Sequence, residues 1–237
     1  MCRADIGFVS LLGQVSPFGE FLIYLVSLRV KRARLRKFEA VYREILLASM
    51  RGQGTVRQKL VAEATGVSTG MTNKVVRKLE QASCVETGPR GLRVLSPGRI
   101  LNLWATERRL QGDVWRSFRI DDLASVERDL PPEVILTAFS GWAAQAKRRP
   151  AEYDRVHFYV TDKPHFESWM KFRRDRIRKT NPNVFALEGH DPHLARTSSR
   201  GVACVPQIYV DVYAADGPEA QPFLKDIVES FPSLGLW

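Results

Sequence analysis

The feature that most constrains the fold of this chain is a three-residue break, Gly66-Val67-Ser68, between two amphipathic segments. Glycine takes the positive-φ conformation that ends a helix, and a serine oxygen caps the first free amides of the next. The segment before the break, residues 56–64, is expected to be a helix capped by Thr55 that buries Leu60, Val61 and Ala64. The segment after it, residues 69–82, is expected to bury Val75, Val76 and Leu79. Thr69, Thr72, Asn73, Lys74, Arg77 and Lys78 then point outward. Helix, tight turn, helix at this spacing is the geometry that projects a second helix into a major groove.

The flanks extend the pattern. Phe38, Val41, Tyr42, Ile45 and Ala48 mark one face of a helix that Gly52 and Gly54 end. After the second helix, residues 84–87 and 92–95 read as two strands around a Gly88-Pro89-Arg90-Gly91 turn. Arg90 at its tip and Arg93 beside it are placed to meet a DNA backbone or minor groove. Residues 35–95 are therefore expected to form a winged helix-turn-helix. Thr and Asn hydrogen-bond base edges, and Lys and Arg neutralise phosphate or read guanine. The net charge of +10 also favours a polyanion. Two rival readings stand beside this: an arginine-rich composition accounts for the charge, and the helix macrodipole accounts for part of the basic C-terminal half of the second helix.

The chain has 237 residues, enough for one large domain or two modest ones, and its 44% hydrophobic content is that of a globular protein. Cys2, Cys84 and Cys204 form no close pair, which argues against a disulfide framework and a zinc site, and for the reducing cytoplasm. Residues 1–34 read as a poorly specified leader. Gln14, Pro17 and Glu20 interrupt its apolar runs, so no membrane span is expected, and Asp5 argues against a signal peptide. Phe21–Val30, followed by Lys31, Arg32, Arg34, Arg36 and Lys37, would also suit an interfacial helix.

Residues 96–112 are expected to form a connecting helix, with Ser96 as cap, Pro97 at its first position, and Ile100, Leu103 and Trp104 on one face. Residues 113–237 alternate strand and helix signals: strands at 114–120, 134–139, 155–160, 184–187 and 207–213, and helices at 121–130, 140–147, 165–179 and 218–230. That order predicts an α/β domain with a mixed sheet, giving an overall α+β/α/β class. In the basic helix expected at 165–179, Lys171, Arg174 and Arg178 share one face. They make a second nucleic-acid contact or a solvated charged face. Arg173 falls in the apolar stripe of that helix.

Four stretches carry a resemblance: residues 135–144, 156–160, 183–187 and 205–213. Together with the preceding winged-helix pattern they resemble the AbiEi family, antitoxins of type IV toxin–antitoxin (abortive infection) systems. The matching positions are Thr137, Ser140, Ala143, Gln207, Tyr209 and Asp211, over a resemblance spanning about residues 38–230. That family has Gly after the Thr, where this chain has Ala138. The resemblance implies a repressor of its own operon, bound to double-stranded operator DNA, that opposes a nucleotidyltransferase-type toxin without a stable complex. It leaves a homodimer open.

Ser140-Gly141 before a strand invites comparison with nucleotidyltransferases, but the following strand carries no carboxylate pair for two metal ions. His190, Asp191 and His193 lie in a Pro-containing loop and read as a turn rather than a ligand set. Glu152, Asp154, Asp162 and Lys163 have no nuclease-specific order, and no Gly-rich phosphate loop is present. No cofactor, metal or catalytic residue is expected. The rivals are a DNA-guided nuclease or nucleotidyltransferase, and a regulator whose α/β domain senses a small molecule.

Overall fold

The computed structural model describes residues 37–189 and 191–234. The leader expected at residues 1–34, Cys2 and His190 lie outside them. Helix α1 runs over described residues 37–50 and buries Val41, Tyr42, Ile45, Leu46 and Ala48. After Gly52 at φ +74°, Val56 exchanges both backbone hydrogen bonds with Leu92, at 2.7 and 2.8 Å. It thereby lies as a one-residue strand beside the hairpin β1 (Val85–Gly88) and β2 (Gly91–Val94). Gly91 is required there: at φ +129° a Cβ would stand 2.7 Å from the Val56 carbonyl oxygen.

That bridge corrects the expected start of the next helix. With Val56 extended, α2 spans Gln58–Thr65 and its cap residue is Arg57, without a side-chain bond, not Thr55. The inward face is Val61, Ala62 and Thr65; Leu60, about 100° away around the helix, is 54% exposed. Gly66 closes α2 at φ +67°, and Ser68 caps α3 (Thr69–Gln81) by accepting from the Met71 amide. Helix α4 covers Pro97–Glu107, with Ser96 accepting from the Arg99 amide.

The remainder is a mixed α/β arrangement on one four-stranded sheet, in the order β3 (Val114–Phe118), β6 (Val184–Glu188), β5 (Val156–Val160), β4 (Val134–Thr137). The central pair β5 and β6 is parallel and both outer pairs are antiparallel. Every residue of β5 is buried, as expected of a strand covered on both faces. On one face Val156, Phe158, Val160, Val184 and Ala186 pack with Phe166 and Trp169 of α7 (Lys163–Phe172) and Val126 of α5 (Leu123–Asp129). On the other, Tyr159 and Leu187 join a core that includes α6 (Ala138–Ala146), α9 (Val205–Ala215) and α10 (Ala220–Ser230). That same core continues through α4 into α3 and α1.

Two expectations are corrected. Residues 207–213, read as a strand, lie in α9. Because Val205–Val212 are all buried, the segment has no polar face to reveal its period, and its Val, Ile and Tyr content imitates a strand. The basic helix expected at 165–179 ends at Phe172. A 3-10 turn, Arg174–Arg176, follows, and Arg178 then pairs with Arg119 beside the sheet at 2.8 and 3.0 Å.

Candidate nucleic-acid interface

Helix α3 is anchored by Val75, Val76 and Leu79, which are buried to 1% or less. This phase leaves Thr69, Asn73, Lys74 and Arg77 exposed. It also turns Thr72 inward, to 0% exposure, where its hydroxyl donates to the Ser68 carbonyl at 3.2 Å. Thr72 is thus removed from the expected DNA-reading set: it stands one position before Asn73 and three before Val75, on the packed side. Lys78 is half-buried and ion-paired with Glu107 of α4. In the hairpin, Arg93 faces Glu86 across the strand pair and binds it at 2.6 Å. Of the expected cations, Lys74, Arg77 and the tip residue Arg90 have no carboxylate partner among the described residues. Arg57, which sequence reasoning missed, is exposed and likewise has no carboxylate partner among the described residues. Arg57, Leu60, Pro89 and Arg90 line a groove of about 830 Å³ between α2 and the hairpin tip.

The second basic set is not one helical face. Lys171 is on α7, Arg174 in the 3-10 turn and Arg178 on the bridge to Arg119, where it pairs with Asp121 at 3.1 Å. Lys171 and Arg174 are exposed. Arg173 stacks on Trp169, 4.6 Å from its centroid, with Asp129 at 3.6 Å.

A buried polar network ties these elements to the sheet. Arg43 of α1, 2% exposed, donates to Gln207 at 2.7 and 3.0 Å and to Asp191 at 2.7 Å, and lies 3.1 Å from His193 Nδ1. His193 Nε2 faces Glu44 at 2.9 Å. Arg108, at the end of α4, donates to Asp211, Asp113, Glu39 and the Tyr159 hydroxyl at 2.6–3.2 Å. Asp211 also accepts from Thr137 and Tyr159, at 2.6 Å each, and from Gln207 at 3.1 Å. Burial opposes both guanidinium charges, yet Asp191 beside Arg43 and Glu39 beside Arg108 hold them above the ordinary range. Burial raises the Glu39 carboxyl in turn. The guanidiniums, Gln207 and Asp211 are buried while Asp191, Glu39 and Glu44 lie at the edge of the network, and together they hold α1, α4, α9 and the sheet to one another.

Three resemblance positions, Thr137, Gln207 and Asp211, meet in this network; Tyr209 reaches Asn102 at 3.5 Å, and Ser140 and Ala143 line a separate pocket. Ala138 has φ +51°, the conformation that favours glycine. Gln207 and Asp211 are four residues apart, one face of a helix; the signal was present but hidden by the strand reading. Asp162 caps α7 and Asp191 caps α8 (Pro192–Thr197), accepting from the His165 and His193 amides. Among the described residues, no group of three His, Cys, Asp or Glu could hold a metal ion, and no helix is long and apolar enough to cross a membrane. Compared with family models, curated proteins and solved structures, the chain matches none.

Proposed function

We propose that this chain is a sequence-specific DNA-binding regulator in which residues 35–95 act as a winged helix-turn-helix. The observation that carries the reading is the outward face of α3. Asn73, Lys74 and Arg77 are exposed there and have no carboxylate partner among the described residues, although Lys78 and Arg93 nearby are engaged by carboxylates. The order helix, one-residue strand, two helices, hairpin, closed by the Val56–Leu92 bridge, supports it. In this reading α3 enters the major groove, and Arg90 and Arg57 meet the flanking phosphates.

By its resemblance to the AbiEi family the chain is further read as a cytoplasmic type IV antitoxin that represses its own operon and opposes a nucleotidyltransferase-type toxin. The convergence of Thr137, Gln207 and Asp211, and the positive φ of Ala138 where that family has Gly, support this assignment. No catalytic chemistry is assigned.

The test is fluorescence anisotropy on duplex DNA from directly upstream of the reading frame, against a scrambled duplex of equal length. Asn73→Ala is expected to cost about 1–3 kcal/mol on the upstream duplex, since an Asn amide donates and accepts at one base edge. Scrambled-duplex affinity should stay unchanged, because no charge is lost. Equal losses on both duplexes would make Asn73 a backbone contact; no loss on either would remove α3 from the interface.

A further inference from the structure

We infer that the α/β part carries a binding pocket for a small phosphate-bearing anion on the outer side of α6. The pocket has a volume of about 430 Å³, within the range of small-molecule sites. Its wall is built from short side chains: Ser140, Ala143 and Ala144 of α6, and Ala124 of α5. These include the small positions in the pattern that opens α6. Ala124 and Ala144 are exposed and Ala143 is half-buried, so on this side no large side chain covers them. Short side chains here leave an open hollow.

The rim is cationic. Arg128, Lys147, Arg148 and Arg149 surround the opening; Glu127 lines it too, and Asp129 and Asp226 pair with Arg128 at 3.5 Å and Arg148 at 2.7 Å, which leaves the rim net positive by one charge, that of Lys147. Two of these cations are held in place from behind. Arg148 binds Asp226 through Nε and Nη2, at 3.0 and 2.7 Å, and Ser230 through Nη2 at 2.8 Å, leaving Nη1 without a hydrogen-bond partner among the described residues. Arg149 binds Glu127 at 3.1 Å and lies over the Tyr153 ring, 5.3 Å from its centroid. Such fixed, planar donors match phosphate oxygens. Lys147, which ends α6 in the left-handed conformation at φ +55°, makes no ion pair among the described residues. Ser140 is buried behind this wall, with its Oγ beside the Tyr153 hydroxyl. A lone carboxylate ligand would leave most of these donors unmet; a phosphate or pyrophosphate would engage several.

The inference does not rest on the DNA reading. Calorimetric titration and thermal shift of the full chain, with pyrophosphate and adenosine triphosphate as probes, test it. Saturable binding is expected with a Kd below about 1 mM, and a Tm that rises with probe concentration. Lys147→Gly keeps the positive φ and removes one cation, and should weaken binding about ten-fold. Ala143→Leu fills the pocket and should abolish binding, with circular dichroism and DNA affinity unchanged. Lys74→Ala with Arg77→Ala should leave probe binding intact, and saturating duplex DNA should not displace the probe. Absence of binding by either probe at about 10 mM, or undiminished affinity in either pocket variant, would overturn the inference. So would loss of probe binding in the α3 double variant or displacement by duplex, which would place the phosphate on the DNA-binding face.

Discussion

Arg108, just past the end of α4, and Asp211, within α9, lie 2.7 Å apart with only 2% and 0% of their side chains exposed. They are 103 residues apart in sequence. Asp211 is also the acceptor for Thr137 at the end of β4 and Tyr159 on β5. One carboxylate thus fixes α4, α9 and two strands against one another.

Asp211→Asn should therefore destabilise the fold by about 3 kcal/mol, because neutralising one partner leaves Arg108 buried without its full counter-charge. Urea unfolding reads the loss, and DNA affinity of the folded variant should be unchanged. A loss under about 1 kcal/mol would show that the network is incidental to stability.

Ala138→Gly should stabilise the chain. A left-handed conformation costs an L-residue about 1–2 kcal/mol, and glycine gives back about 0.5–1 kcal/mol through its freedom in the unfolded state. Ala138 is fully buried at φ +51°, so the net gain should be up to about 1 kcal/mol. A lowered urea midpoint would mean that the lost methyl group matters more than the backbone.

Ion pairing divides the cations of α3 into two kinds. Lys74→Ala with Arg77→Ala should reduce the slope of log affinity against log salt by about 2, close to one per phosphate contact. Lys78→Ala should leave that slope unchanged, because Glu107 already neutralises Lys78. Equal slope changes for Lys74, Arg77 and Lys78 would mean that the Lys78–Glu107 pair opens on DNA.

His157 stacks on Phe185 with ring centroids 4.8 Å apart, and its Nδ1 has no partner. Burial, assisted by Arg155, lowers its pKa to about 4. The unfolded chain takes up this proton first, near pH 6.5. As pH falls from about 6.5 to about 4, folding should lose up to about 3 kcal/mol from this residue alone. His157→Phe keeps the stack and should remove that one-proton share of the pH dependence in urea unfolding. Parallel pH profiles for the two proteins would place the His157 pKa near its ordinary value.

What could be read in the sequence was what local chemistry decides. Gly66 and Ser68 mark the turn before α3 through their own backbone and side-chain preferences, and the apolar run of β5 marks a strand covered on both faces. The misreadings share another cause. Thr55 is not a cap because Val56 is drawn to Leu92, 36 positions away, and Thr72 points inward because packing rather than polarity sets the phase of α3. The network was hidden more completely. Nothing near Arg43 announces that its acceptors are Asp191 and Gln207, or that an arginine on the apolar side of α1 would be enclosed.

That last pairing has a consequence for how the chain is made. Arg43 and Gln207 are separated by 164 residues. At about 5–20 residues per second, Gln207 leaves the ribosome roughly 8–30 s after Arg43. For most of that interval α1 carries a charged guanidinium on the face it must bury, until Asp191, its nearer acceptor in sequence at 148 residues, and then Gln207 are made. The guanidinium of α1 therefore stays solvated until residues 191–207 have been translated, and only then can that face of α1 be enclosed as it is in the finished fold.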